Sequence, residues 1–264
     1  MARRPEGPPP PPTVQKVRIH YTKRGRLRFS SHRDFQRAFE RAIRRGNIPV
    51  AFSAGFNPHP KVSYANAAPT GVASEAEYVE IGLAMRCDVK QLAAVLDESL
   101  PTGFDVLEVV EVREGSLADR LEASAWLIEF PGSDPAAVDA AVAAFLAADE
   151  VQVQRMTKNG MRHFDARSAV VTLGPVLAGS PDWQVAERAV GTIPAGCAIL
   201  KAVVRHTTPA VRPDDVLYGL REISGLTPSN PPRVTRLAQG PLDTQTAVIA
   251  DPLDRDRNVI TSTS

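Results

Sequence analysis

Between Ser31 and Gly46 the chain reads SHRDFQRAFERAIRRG, a run that leaves little freedom in what it can fold into. Ser31 is placed to cap the first free amides of a helix, and Asp34 can reach back to the Ser31 amide, the acidic form of a capping box. The spacing predicts a helix over residues 32–45. Phe35, Ala38, Phe39, Ala42 and Ile43 recur at 3.6-residue intervals and should face a core, whereas Arg33, Arg37, Arg41, Arg44 and Arg45 form a second stripe. That stripe should face water or a polyanion. Gly46 is expected to end the helix, with strand character at 48–52 and a loop at 53–60. In that loop, Ser53-Ala54-Gly55-Phe56-Asn57-Pro58-His59-Pro60, two prolines hold His59 in constrained backbone.

The basic helix belongs to a strongly asymmetric chain. Residues 1–61 carry 14 Lys and Arg against 3 Asp and Glu, leaving 17 against 27 in the rest, although the formal net charge is only +1. The basic end suits phosphate backbones, an acidic partner or the acidic remainder of the chain itself. Charge runs are most often solvated faces, so the pattern alone does not choose.

Element order supplies a fold expectation. Residues 14–21 alternate Val17, Ile19 and Tyr21 with Lys16, Arg18 and His20, a strand with one apolar and one polar face. The predicted helix, strands at 62–65 and 78–84, a helix capped by Asp88 with Val89, Leu92, Leu96 and Leu100 inward, and a strand at 104–112 complete a strand, helix, strand, strand, helix, strand series. It recurs as a strand at 123–130, a helix opened by Asp134-Pro135 with Val138, Val142, Phe145 and Leu146 inward, strands at 151–156, 167–173 and 198–206, a helix from Pro213 and a strand at 233–237. The expected architecture is α+β, with two tandem ferredoxin-like (βαββαβ) units. A Pro-rich leader, 1–13, is expected to be disordered. The first unit spans 14–112, a linker 113–121, and the second unit 122–238 with an insertion near 174–195. A disordered tail, 239–264, follows.

The run from Ser30 through Ile81, together with Asp165-Ala166-Arg167 and Arg212-Pro213-Asp214-Asp215-Val216-Leu217 in the expected order, resembles the bacterial radical SAM-associated domain of unknown function, in its stand-alone form. The resemblance covers residues 14–237. It implies a separate radical SAM enzyme as partner. Cys87 and Cys197 are the only cysteines, and an iron–sulfur cluster that cleaves S-adenosylmethionine needs several closely spaced thiolates, so this chain is not itself the radical enzyme. No signal peptide precedes Val14 and no apolar run approaches the roughly 20 residues of a membrane helix. A cytoplasmic location with no membrane contact is expected.

Candidate chemistry centres on two histidines. His32 is a candidate general acid or base, with packing at the helix start as the plainer alternative. His59 shares its loop with Phe56, Asn57 and Lys61, residue types that stack on and hydrogen-bond an unpaired base, or simply make a turn. Ser31, His32 and Asp34 diverge on one helical turn and do not form a triad. Glu75, Glu77 and Glu80 are expected to be solvated, with pairing to the basic stripe or a metal held together with His59 as the alternatives. The candidate binding set is Arg28, Ser31, His32, Arg33, Arg37, Arg41, Arg44, Arg45, Ser53, Phe56, Asn57, His59 and Lys61, with Arg167 and Arg212 from the resemblance. No metal or cofactor is expected, and no phosphate-cradling loop or nucleophile elbow appears. The expected function is an accessory protein that presents RNA or another anionic substrate to a radical SAM enzyme, more binder than catalyst. The alternatives are a metal-independent RNA-processing enzyme using His32 or His59, and a protein-binding scaffold with no nucleic-acid contact.

Overall fold

A computed structural model describes residues 11–157 and 160–257 of the chain. The protein is mixed α+β and divides into two compact units. Unit 1 is discontinuous, Met1–Asp119 with Pro252–Ser264, and unit 2 is Arg120–Asp251.

Unit 1 contains β1 (Gln15–Lys23), α1 (His32–Arg45), β2 (Val62–Ala65), β3 (Ala73–Leu83), α2 (Val89–Ser99) and β4 (Val106–Glu111). Within it β4, β1, β3 and β2 lie side by side in that order, and each pairing is antiparallel. Its core gathers Val17, Ile19 and Tyr21 from β1 and Phe35, Phe39, Ala42 and Ile43 from α1. Val79, Ile81 and Leu83 from β3 and Leu92 and Leu96 from α2 complete it. Of the expected polar face of β1 only Lys16 is exposed. Arg18 is fully buried, and His20 stacks on Tyr78 with ring centroids 4.7 Å apart.

Residues 48–52 make only isolated bridges, Val50 to Leu83 and Phe52 to Pro60, because the chain there is already turning into the loop. Gly46 is not in the left-handed region expected of a terminating glycine. Its φ is −79°, and Asn47 takes the left-handed turn at φ 49°. The reason for glycine at 46 is packing: an added Cβ would lie 2.5 Å from a methyl of Val95 on α2.

A short helix, α3 (Leu117–Arg120), crosses the sequence boundary between the units. Unit 2 contains β5 (Ala123–Phe130), α4 (Pro135–Ala147), β6 (Gln152–Thr157), β7 (Gly160–Asp165), β8 (Val170–Pro175), α5 (Pro181–Val190), β9 (Ala198–Arg205), α6 (Pro213–Ser224) and β10 (Arg233–Gly240). Here β10, β5, β9 and β8 lie side by side, again antiparallel throughout. β5 is buried along its whole length.

Four expectations change. The strand at 151–156 does not join this sheet but pairs with β7 in a separate hairpin. Residues 167–169 form a single helical turn, so the sheet strand begins at Val170. Leu146 is partly exposed, and Ala141 takes the inward position beside Val138, Val142 and Phe145. The segment near 174–195 holds a regular helix, α5, capped by Ser180 and packed through Ala186 on Leu127, Val176 and Ile199.

Nor is the segment from 239 a featureless tail as far as Arg257. β10 runs to Gly240, Leu242 bridges Ile249, and a helical turn, α7 (Asp254–Arg257), completes unit 1. Polar composition concealed this because the anchors are ionic. Asp256 accepts from Arg18 Nη1 at 2.7 Å and from the Arg113 amide at 3.1 Å, and both charged side chains are 0% exposed. Arg257 grips both carboxylate oxygens of Glu108. Residues 1–10 of the leader and 258–264 of the tail lie outside the described residues.

Candidate nucleic-acid interface

The capping box at Ser31 forms as its spacing requires. The Ser31 hydroxyl accepts from the Asp34 amide at 3.2 Å, and the Asp34 carboxylate accepts from the Ser31 amide at 2.9 Å. The Ser31 hydroxyl also donates to the Asp34 carboxylate at 2.7 Å, and that bond first and the Ser31 amide second hold the carboxyl below its ordinary pKa, with Arg37 adding to the effect. Ser31 and Asp34 are therefore occupied with starting the helix.

The arginines of α1 divide by what they touch. Arg44 lies 4.0 Å from Glu40 one turn back, and Arg45 donates to the Ser99 carbonyl at 3.3 Å. Arg28, just before the helix, donates to the Gly71 carbonyl at 2.8 Å and sits over Phe29. Arg33, Arg37 and Arg41 are exposed, and none of the three is ion-paired among the described residues. The carboxylates expected to pair with the stripe are engaged elsewhere. Glu75 pairs with Arg24, and Glu80 with Arg18 at 3.0 Å and Lys16 at 3.6 Å. Glu77, 2% exposed, accepts from the Ala68 amide at 3.0 Å.

His32 is exposed at the first turn. Its Nε2 lies 3.0 Å from the Gln36 amide nitrogen, and its ring meets Tyr64 edge-on at 4.9 Å. Burial, with Glu40 nearby, pushes the Tyr64 phenol well above its ordinary range, so that group stays protonated. The 53–60 loop is closed at its base by its own bonds. Ser53 donates its amide to the His59 carbonyl at 2.9 Å, and the Ser53 hydroxyl accepts from the His59 amide at 3.1 Å. His59 Nδ1 donates to the Asn57 carbonyl at 2.8 Å, which fixes the tautomer and leaves Nε2 as an acceptor on an exposed ring. Phe56 is 63% exposed at the tip, and Lys61 reaches Thr13 at 3.1 Å.

Sequence reasoning passed over Lys23 and expected Glu77 at the surface, yet both are buried. Lys23 donates to the Ala68 and Pro69 carbonyls at 3.3 and 2.9 Å. With Arg28 on Gly71, they fasten the 66–71 loop, which shares a small cleft with Ser30, Ser31 and His32. The alternation of β1 was the available signal: a lysine at the end of a buried strand needs carbonyls or a counterion.

Arg167 and Arg212 belong to unit 2 and have local explanations. Arg167 donates to the Val170 carbonyl at 3.2 Å. Asp165 of the same motif accepts from the Val151, Arg167 and Ser168 amides at 2.9, 2.9 and 3.0 Å. Partial burial raises its pKa, but these bonds more than reverse that and leave it low. Arg212 is the residue before α6. Its amide donates to Asp215 at 2.7 Å while its side chain is exposed, and Asp215 pairs with Arg155 at 2.6 Å. Among the described residues no group of three His, Cys, Asp or Glu stands close enough to hold a metal ion, and no helix is long and apolar enough to cross a membrane.

These features define an α+β protein of two units whose first unit displays three exposed α1 arginines, not ion-paired among the described residues, and a loop with an exposed phenylalanine. The chain belongs to the bacterial family described as uncharacterized protein conserved in bacteria (DUF2344), whose profile matches residues 16–213. The match takes in α1, the 53–60 loop and the 165–167 turn, and stops at the first residue of α6. No curated protein matches the chain.

Proposed function

We propose that this chain is an accessory protein that holds RNA, or a similarly anionic substrate, on unit 1 for a separate radical SAM enzyme. The observation that carries the binding half is that Arg33, Arg37 and Arg41 have no ion pair among the described residues while Glu75, Glu77 and Glu80 are engaged with other groups. Three exposed guanidinium groups on one helical stripe suit successive phosphates, because each can release condensed counterions on contact. Phe56 at 63% exposure offers a ring on which an unpaired base can stack. The enzyme partner rests on the family resemblance of the residues 30–81, 165–167 and 212–217. The ferredoxin-like reading of both units is supported by the repeated order, β4-β1-β3-β2 in unit 1 and β10-β5-β9-β8 in unit 2. In the second, the β6–β7 hairpin and α5 are additions to the common plan. RNA processing by His32 has less support, since its Nε2 is already engaged by Gln36.

The test is binding of cellular RNA across a salt series by wild type and Arg37→Glu/Arg41→Glu. We expect the logarithm of affinity to fall linearly with the logarithm of salt, and binding to be lost in the variant. Undetectable binding at low salt would overturn the RNA reading and leave α1 as a protein-docking surface.

A further inference from the structure

Unit 2 carries a second site that the basic helix does not explain. On β5, Ala125 and Leu127 are two residues apart and share a face of the sheet. α5 packs over the Leu127 end through Trp183, Ala186 and Val190, while Leu242 and Ile249 pack over the Ala125 and Val203 end. Between these covers the sheet is open, forming a groove of about 510 Å3. That volume is within the range of small-molecule sites.

The groove is lined by Ala125, Val203, Leu237 and Ala238, and the polar side chains around it include Lys201 and Asp182. Ala125 is paired across the sheet with Ala238 and Val203, so that row of the floor is built from small side chains. Gly174 pairs with Lys201, and a Cβ added at Gly174 would meet nothing within 4 Å. At the edge, Lys201 Nζ is 2.5 Å from Asp182 Oδ1, with 35% and 47% of the two side chains exposed. The pair is neutral as a whole. An added anion would compete with Asp182 for the lysine, and an added cation would compete with Lys201 for the carboxylate. A neutral edge with an acceptor beside a donor satisfies both partners without separating them.

We propose that this groove binds a planar heterocycle with adjacent donor and acceptor groups, of the nucleobase type, ring face on the Ala125–Val203–Ala238 floor and polar edge on Lys201 and Asp182. The base comes either free, as a nucleoside, or within a single strand. All the residues involved belong to unit 2, so the inference stands or falls independently of the α1 reading.

The experiment titrates adenosine, guanosine, cytidine, uridine and a short mixed oligoribonucleotide into the full chain, read by amide chemical shifts, with indole as a planar control lacking the paired edge. We expect at least one nucleoside, or the oligonucleotide alone if the base arrives in a strand, to shift amides of β8, β9 and α5. Gly174→Phe, which fills the groove from a position with open space, should weaken binding at least tenfold while leaving Tm near that of wild type. Asp182→Asn, at an exposed site, should change the order of preference among the bases. The proposal is overturned if no probe shifts these amides at millimolar concentration, if indole binds as tightly as the best nucleoside, or if Asp182→Asn leaves the order of preference unchanged.

Discussion

Replacing Asp256 by alanine removes the carboxylate that accepts from Arg18 at 2.7 Å and from the Arg113 amide at 3.1 Å, at a place where neither charged side chain is exposed. Breaking a buried pair from one side typically costs 3–5 kcal/mol, because the remaining charge stays buried. Arg18 would keep Glu80 at 3.0 Å and the Gly115 carbonyl at 2.5 Å, so part of its charge remains compensated. The expected loss is therefore near the lower end, about 3 kcal/mol, a large share of the 5–15 kcal/mol that holds an ordinary domain. Trp126 and Trp183 both lie in unit 2, so tryptophan fluorescence does not report on this site. Hydrogen exchange of β1, β3 and β4 peptides in a urea series does. We expect protection there to fall by that amount. Arg18→Met combined with Asp256→Leu should recover most of the loss, since an apolar pair of similar volume needs no counterion. A loss below about 1 kcal/mol for Asp256→Ala would refute the reasoning, because that is the range of a solvated surface pair.

Three further outcomes follow from the geometry. His206 donates from Nδ1 to the Leu121 carbonyl at 2.6 Å and accepts at Nε2 from the Ser124 hydroxyl at 2.8 Å, and burial holds its pKa below the ordinary value. The unfolded chain then takes up the proton first, so its stability contribution is full above about pH 6.5 and is lost as pH falls below it; His206→Gln should flatten that acid limb of a Tm-versus-pH curve. Gly219→Ala places a Cβ 2.9 Å from both Phe145 and Val151, an overpacking that should cost about 1–3 kcal/mol in chemical denaturation with an unchanged m-value. Ser31→Ala should cost about 1 kcal/mol by the same measurement through loss of the cap, with the salt slope of RNA binding unaffected.

Where local chemistry decides structure, the sequence was legible. The helix at 32–45, its capping box, its buried face and the strands β2 and β5 were readable from spacing and caps alone. What could not be read were features decided by distant partners. Arg18 reads as a solvent-facing residue in an alternating strand because its counterion is 238 residues away. Gly46 reads as a terminator, although its smallness serves Val95 on another helix. The strand at 151–156 was correct as a strand but not as a sheet member, since period-2 patterning does not name a pairing partner. At the candidate interface, the basic stripe was visible, but that Glu75 and Glu80 are held by Arg24 and Arg18 required the pairing of β3 with β1.

The discontinuity of unit 1 sets an order on biosynthesis. A ribosome releases β1, with Arg18 on it, long before it releases Asp256, and all of unit 2 emerges in between. The unit whose sequence starts first is therefore the one completed last, in contrast to the usual N-terminal-first order. Until Pro252–Arg257 leave the exit tunnel, Arg18 waits for its counterion, and α1 is displayed on a nascent unit that is not yet closed.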